Sequence, residues 1–281
     1  MTPATPQRLP AIFFGHGSPM VTLADNRFTQ AWRAWGGVFD KASGNAVDNV
    51  LGTARAAPRA ILCVSAHWYT RGTAVTAMVR PKTIHDFGGF PQALFDIEYP
   101  APGDPALAAR VRELLAPVDV HLDDSEWGLD HGAWTVLRHA FPRADVPVVQ
   151  LSIDGTKPAR FHYELAKRLA PLRDEGVLIT GSGNVVHNLG LMKRDDEAAA
   201  FDWAQRFNAT IRNGLEKRKH DVLVDLDLQG EDTRLAVPTP EHYLPLLYIA
   251  ALQGDNEKIS IATDEIVNGS LSMLSAMVDS R

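Results

Sequence analysis

Histidine is the residue type through which this chain could do chemistry. Four of its ten histidines stand where short apolar runs give way to glycine, proline or helix-forming sequence. His16 follows the run Ala11–Phe14 in Phe14-Gly15-His16-Gly17-Ser18-Pro19, and His67 follows Ala60–Ser65 in Ser65-Ala66-His67-Trp68. His187 closes Gly181-Ser182-Gly183-Asn184-Val185-Val186-His187-Asn188, and His242 lies in Pro238-Thr239-Pro240-Glu241-His242-Tyr243. Imidazole suits zinc, iron, copper and nickel. Ligands gathered from distant segments are normal for catalytic metals, whereas structural zinc takes close pairs rich in cysteine. With Cys63 alone in the chain, a structural zinc site is disfavoured.

Each histidine also has a plainer reading. A lone histidine after a strand is more often a hydrogen-bonded loop residue than a ligand. The glycines around His16 permit close approach of the backbone to a ligand and favour the metal reading there. His242 competes with Glu241, because successive helical residues point about 100° apart and only one of the two can face a metal. His131, in Asp130-His131-Gly132, and His85, in His85-Asp86-Phe87-Gly88-Gly89-Phe90-Pro91, could line a pocket or belong to ordinary loops. His121, His139, His162 and His220 have the surroundings of solvated or half-buried positions and are given no function.

Short apolar runs alternate with amphipathic stretches, the pattern of α/β architecture. Strands are expected at Ala11–Phe14, Ala60–Ser65, Thr73–Val79, Val146–Ile153, Gly176–Thr180, Val222–Leu226, Lys258–Thr263 and Ser270–Val278. Helices are expected at Ala24–Trp35, Pro105–Leu115, Ala133–Ala140, Pro158–Leu172, Glu197–Glu216 and Pro240–Leu252. Strands apolar at consecutive positions are those covered on both faces. In such open sheets ligands bind beyond the carboxyl ends of the strands, where His16, His67 and His187 would stand. No repeat or charged linker divides the chain, so a single domain over residues 1–281 is expected, with a tail at 1–9 and a loose excursion at Gly36–Pro58.

The 281 residues are 45% hydrophobic and 22% charged, ordinary for a globular protein. A net charge of −6 without any Lys/Arg block argues against nucleic acid or an anionic membrane as partner. No run approaches the ~18 apolar residues of a membrane span. The N-terminal segment lacks a signal peptide's charged start and apolar stretch, so the cytoplasm is expected. Cys63, within Ala60-Ile61-Leu62-Cys63-Val64, reads as a buried, inert thiol. Gly15-His16-Gly17-Ser18 and Gly181-Ser182-Gly183 lack the later residues of dinucleotide and phosphate loops. No Gly-x-Ser-x-Gly nucleophile elbow occurs.

Taken in order, Gly15-His16-Gly17-Ser18-Pro19, Ser65-Ala66-His67-Trp68, the His85–Pro91 turn, Gly183-Asn184-Val185-Val186-His187-Asn188-Leu189 and Pro238-Thr239-Pro240-Glu241-His242-Tyr243-Leu244-Pro245-Leu246 resemble one family. It is the class III extradiol ring-cleavage dioxygenases, in the DOPA-extradiol-dioxygenase-like branch of bacteria and plants. The similarity runs from about Pro10 to about Met277, and Gly36–Pro58 departs from it by its length. The resemblance implies a single α/β/α sandwich with a mostly parallel sheet and one metal. It places His16, His67 and His242 on that metal, with His242 rather than Glu241 as the third ligand. It gives His187 as the acid/base, with a place at the metal also open to it, and His131 as a histidine beside bound substrate.

The expected reaction is oxygen-dependent extradiol opening of a DOPA-like catechol to a muconic semialdehyde at Fe(II), with Zn(II) possible in the isolated protein. His187, titrating near working pH, would take a phenolic proton and return it. His85 and His131 are expected to touch substrate. Gly181-Ser182-Gly183 reads as a flexible approach letting His187 swing between metal and substrate. Two rivals stand beside this. A zinc hydrolase would use zinc-bound water as nucleophile. A non-enzymatic metal-binding protein could share the scaffold, since fold does not fix function.

Overall fold

The structure, a computed structural model, describes residues 8–39, 55–226 and 230–280. Its strands are β1 (Ala11–Gly15), β2 (Ala60–Thr70), β3 (Thr73–Thr76), β4 (Val120–Asp123), β5 (Val148–Asp154), β6 (Val177–Gly183), β7 (Lys258–Thr263), β8 (Ile266–Val267), β9 (Leu271–Ser272) and β10 (Ser275–Asp279). Eight of them form one sheet in the order β4-β3-β5-β2-β6-β1-β10-β7, and β8 pairs with β9 beside it. The centre, β5-β2-β6-β1, is parallel. β10 runs antiparallel to β1, with Ala11 opposite Val278 and Phe13 opposite Ala276.

The helices are α1 (Arg27–Gly37), α2 (Gln92–Phe95), α3 (Pro105–Leu115), α4 (His131–Ala140), α5 (Ala159–Lys167), α6 (Ala170–Asp174), α7 (Asp202–Glu216), α8 (His220–Val224), α9 (Glu231–Ala236) and α10 (Leu244–Ala251). Alternate strand residues feed two cores, as the two-residue period of a strand requires. Ile12, Phe14, Ile61, Cys63 and Leu178 pack against Trp32 and Trp35 of α1 and Trp134 and Leu137 of α4. Ala11, Phe13, Leu62, Val64 and Ile179 face the other way, onto α3, α5, α7 and α10. The molecule is a single-domain α/β/α sandwich. Cys63 is fully buried, and burial pushes its thiol up to about 12, as befits an inert core residue.

The structure moves several expected boundaries. Val222–Leu226 is not a strand: its first residues belong to α8, where Leu223 and Val224 pack into the core. Pro158–Leu172 is two short helices, α5 and α6. The expected last strand breaks into β9 and β10. The excursion expected at Gly36–Pro58 falls mostly, at 40–54, outside the described residues, as does the tail before Arg8. Among the described residues, no helix is long and apolar enough to cross a membrane.

Candidate metal centre

The candidate site lies at the carboxyl ends of β1, β2 and β6, adjacent strands in the middle of the sheet. His16 is the first residue after β1, and its backbone N–H donates to the Gly183 carbonyl at the end of β6 (3.1 Å). His67 does not follow β2, as expected, but lies inside it. Val64 pairs with Leu151 and Tyr69 with Ile153, so on the β5 side Ser65–Trp68 stand opposite Ser152 alone, while Ser65 still pairs with Ser182 of β6. Such a bulge re-aims side chains next to a site. His242 does not open a helix either. It occupies the turn before α10, whose first residue is Leu244.

Gly181-Ser182-Gly183 is where the expected flexible approach fails. All three residues are strand, buried, and paired to β1 on one side, with Gly181 and Ser182 paired to β2 on the other. The glycines serve close packing instead. A Cβ at Gly183 would fall on the His242 carbonyl, and one at Gly181 would stand 2.7 Å from the Pro245 carbonyl oxygen. Their absence of side chains lets the 240–245 turn lie against β6, which Asn184 N–H fastens by donating to His242 O (2.8 Å). His187 is likewise anchored, its N–H donating to Ala236 O (2.8 Å) and its backbone bridging to Leu271.

One ring nitrogen from each of His16, His67 and His242 lies within 4.8 Å of the others. Nε2 of His67 is 3.3 Å from Nε2 of His16. That is about the ligand–ligand spacing that metal–nitrogen bonds of about 2.0–2.1 Å impose on a tetrahedron. The opposite nitrogens are all committed outward. Nδ1 of His16 is 2.9 Å from Ser182 Oγ, whose own proton goes to Gly132 O (2.5 Å), so the serine oxygen must accept from the ring. Nδ1 of His67 is 3.3 Å from Asp86 Oδ2, and Nδ1 of His242 is 3.2 Å from Glu241 Oε1. With each Nδ1 carrying the proton, the Nε2 lone pairs of His16 and His67 face each other and a ring nitrogen of His242 lies within 4.8 Å of both, an arrangement in keeping with the outer acceptors of metal-ligating histidines. The residues present therefore fit a divalent metal. Glu241 supports His242 and also accepts from Thr239 Oγ1 (2.7 Å).

Electrostatics agree with that donor set. Burial, then the neighbouring imidazoles, hold His16 and His67 well below the usual histidine range. Burial lowers His242 too, against the pull of Glu241. These rings are neutral, as ligands must be. Partial burial would raise the Glu241 carboxyl, but hydrogen bonds from His242 and Thr239 outweigh it and bring it down to about 2.

The other expected site residues are placed unevenly. The His187 ring stacks on His242 with centroids 3.5 Å apart, and burial pushes it down to about 3 rather than leaving it to titrate near neutrality. The His131 ring is 3.7 Å from that of His67. His85 is not brought to the cluster: its Nε2 is 3.0 Å from Ile97 O, and its ring packs among Phe87, Phe95 and Trp134. His162, expected to be solvated or half-buried, is fully buried beside Tyr248 (Nδ1 to hydroxyl oxygen, 3.0 Å). Sequence reasoning passed over Ser182 and Asp86, although Asp86 stands in a quoted turn. A carboxylate reaching another segment's histidine leaves no local signal.

The sequence and the fold match known proteins. The family described as the catalytic LigB subunit of aromatic ring-opening dioxygenase matches residues 10–278, and the chain belongs to that family of class III extradiol dioxygenases. It is therefore an aromatic ring-opening oxidoreductase. It is 50% identical over 275 residues to the 4,5-DOPA dioxygenase extradiol of Escherichia coli K12, covering 96% of this chain and 95% of that protein. It is 36% identical over 256 residues to the 4,5-DOPA dioxygenase extradiol of Beta vulgaris, covering 89% and 88%. The crystal structure of an uncharacterized protein from Escherichia coli K12 superposes with a TM-score of 0.79 at 44% identity, covering 97% of this chain and all of that one.

Proposed function

We propose that this enzyme opens the ring of a DOPA-like 3,4-dihydroxyphenyl compound beside its two hydroxyls. Both atoms of O2 enter the product, a muconic semialdehyde, so no external reductant is needed. His16, His67 and His242 would hold one Fe(II) ion, and the observation that carries this is the gathering of one ring nitrogen from each within 4.8 Å of the others, with an acceptor near each Nδ1. When bound, that ion would gather both reactants at one centre and favour the ionised catechol. The names of the 50% and 36% identical relatives support the choice of DOPA-like compounds.

The protein's own groups do the rest. His187 is kept neutral by burial against His242 and is a weak base, suited to a phenolic proton that a bound ion would already have made acidic. It takes a phenolic proton and returns it to the reacting oxygen, work typically worth 10²–10⁴-fold. His131, on the His67 side, hydrogen-bonds a substrate oxygen. Phe87 stands edge-on to His131 at 5.3 Å, with Phe90 and Phe95 against it, giving a ring substrate an apolar wall that excludes water.

Anaerobic reconstitution with Fe(II), then a catechol panel under air, tests the reading. One O2 consumed per ring opened, with a yellow product from 3,4-dihydroxyphenyl compounds, is expected. Equal turnover without oxygen, or ester hydrolysis by the zinc-loaded protein alone, would replace it with the hydrolase.

A further inference from the structure

Asp86 is shared by two histidines that belong to different halves of the site. Its Oδ2 is 3.3 Å from Nδ1 of His67 and 2.9 Å from Nδ1 of His131, both within ion-pair distance and neither on the axis of a straight hydrogen bond. Its Oδ1 accepts the backbone N–H of His131 (2.9 Å), one of the unpaired donors in the first turn of α4. Burial of the carboxylate is outweighed by these contacts with His131, which keep it ionised.

The segment carrying Asp86 is braced from several directions. Ile84 N–H donates to Leu129 O (2.7 Å), and Leu129 N–H donates to Lys82 O (2.8 Å). Trp134 Nε1–H donates to Ile84 O (2.8 Å), and Tyr99 N–H donates to Thr83 Oγ1 (2.9 Å). His85, absent from the imidazole cluster, ties the same turn to Ile97 O. The aspartate is thus held by the protein's own contacts.

We propose that Asp86 is the positioning residue that couples the metal side of the site to its substrate side, by fixing His67 and His131 with Nδ1–H towards one oxygen and Nε2 towards the pocket. This rests on the reading of His67 as a ligand and His131 as a substrate contact. An asparagine cannot substitute. With its amide oxygen kept on the His131 backbone N–H, its NH2 group faces both Nδ1 atoms, which must then give up their protons and become acceptors. With the amide flipped, the NH2 opposes the backbone N–H instead. D86N therefore moves the His67 proton to Nε2, where it blocks a metal.

Two-bond nitrogen–hydrogen spectra of the metal-free, 15N-histidine-labelled protein read these protons directly. The parent is expected to show His67 as the Nδ1–H form, and D86N as the Nε2–H form at an unchanged melting temperature. Chelator competition with Co(II) should show affinity 10–100-fold weaker in D86N, the usual cost of a lost outer-sphere partner. D86E, which keeps the acceptor, should retain the Nδ1–H form and recover most of that affinity. An Nε2–H ring at His67 in the parent overturns the proposal even if D86N does not fold, and so does Co(II) affinity within twofold of parent in folded D86N. If H67A binds Co(II) as tightly as parent, the ligand reading fails instead, and the spectra of the metal-free proteins still decide the role of Asp86.

Discussion

Two buried polar clusters lie at opposite ends of the central strands, and they are finished differently. At the amino ends of β1 and β6, Arg173 is fully buried and donates to Leu9 O (2.6 Å), Leu252 O (2.7 Å) and both oxygens of Glu257 (2.9 and 2.5 Å). Glu257 also accepts the Gly254 N–H (2.7 Å). At the carboxyl ends, His16, His67 and His242 each have an oxygen partner near Nδ1, while one ring nitrogen from each is gathered within 4.8 Å of the others. Saturated valence makes a structural pair, and valence left over and aimed at a common point makes a candidate binding site.

The largest effect expected from breaking this contrast is on the open cluster. His16→Ala, His67→Ala or His242→Ala should strip the metal and reduce turnover beyond the 10–100-fold of an outer-sphere loss. Elemental analysis of Fe(II)- or Zn(II)-loaded variants checks it, and full occupancy in His242→Ala with loss in Glu241→Ala would name the wrong neighbour. At the saturated end, Arg173→Met leaves Glu257 only the more distant Arg8 (3.7 Å) and should cost stability, by less than the ~3–5 kcal/mol of a fully unpaired buried charge. Urea unfolding measures that cost, and metal content per folded molecule should not move.

A smaller change is expected at His187. His187→Gln should keep the metal yet lose at least ~100-fold in kcat, within the range for a lost general acid/base. Near-normal turnover in the metal-replete variant would exclude that role, and loss of metal would make His187 a ligand first. The smallest effect concerns His162, buried yet in neither cluster. Burial lowers it from 6.5 to about 4. The unfolded chain then binds a proton that the folded one refuses, so stability is full above pH 6.5 and falls as pH drops towards 4. The share of His162 in the loss between pH 7 and pH 5 should be about 2 kcal/mol, and His162→Gln should reduce the loss by that share in urea titrations at both pH values.

Legibility in the sequence followed the range of the forces involved. The helix Pro105–Leu115 is bounded as read, because Asp104 caps it by accepting from Leu107 N–H and Pro105 starts it. The apolar runs of β1, β2 and β6 gave the sheet's centre and so the places of His16, His67 and His187. A short run such as Val222–Leu226 has no decisive period, and its packing under α7 settled it as helix. β4, four residues long, went unread. Within the site, the ligating side of each histidine depends on acceptors distant in sequence. Ser182 lies 166 residues from His16, so no window along the chain contains both.

The pairing of β1 has a consequence for the order in which the molecule can be made. Ala11 meets Ile179 on one edge and Val278 on the other, so β1 cannot complete its pairing until residues far along the chain have been made. Contacts this far apart in sequence form late and slowly. His16 cannot meet both His67 and His242 until the segment carrying His242 has left the ribosome. Binding of a divalent ion to all three histidines would therefore mark completed folding rather than guide it, and incomplete chains would have little means of capturing the ion.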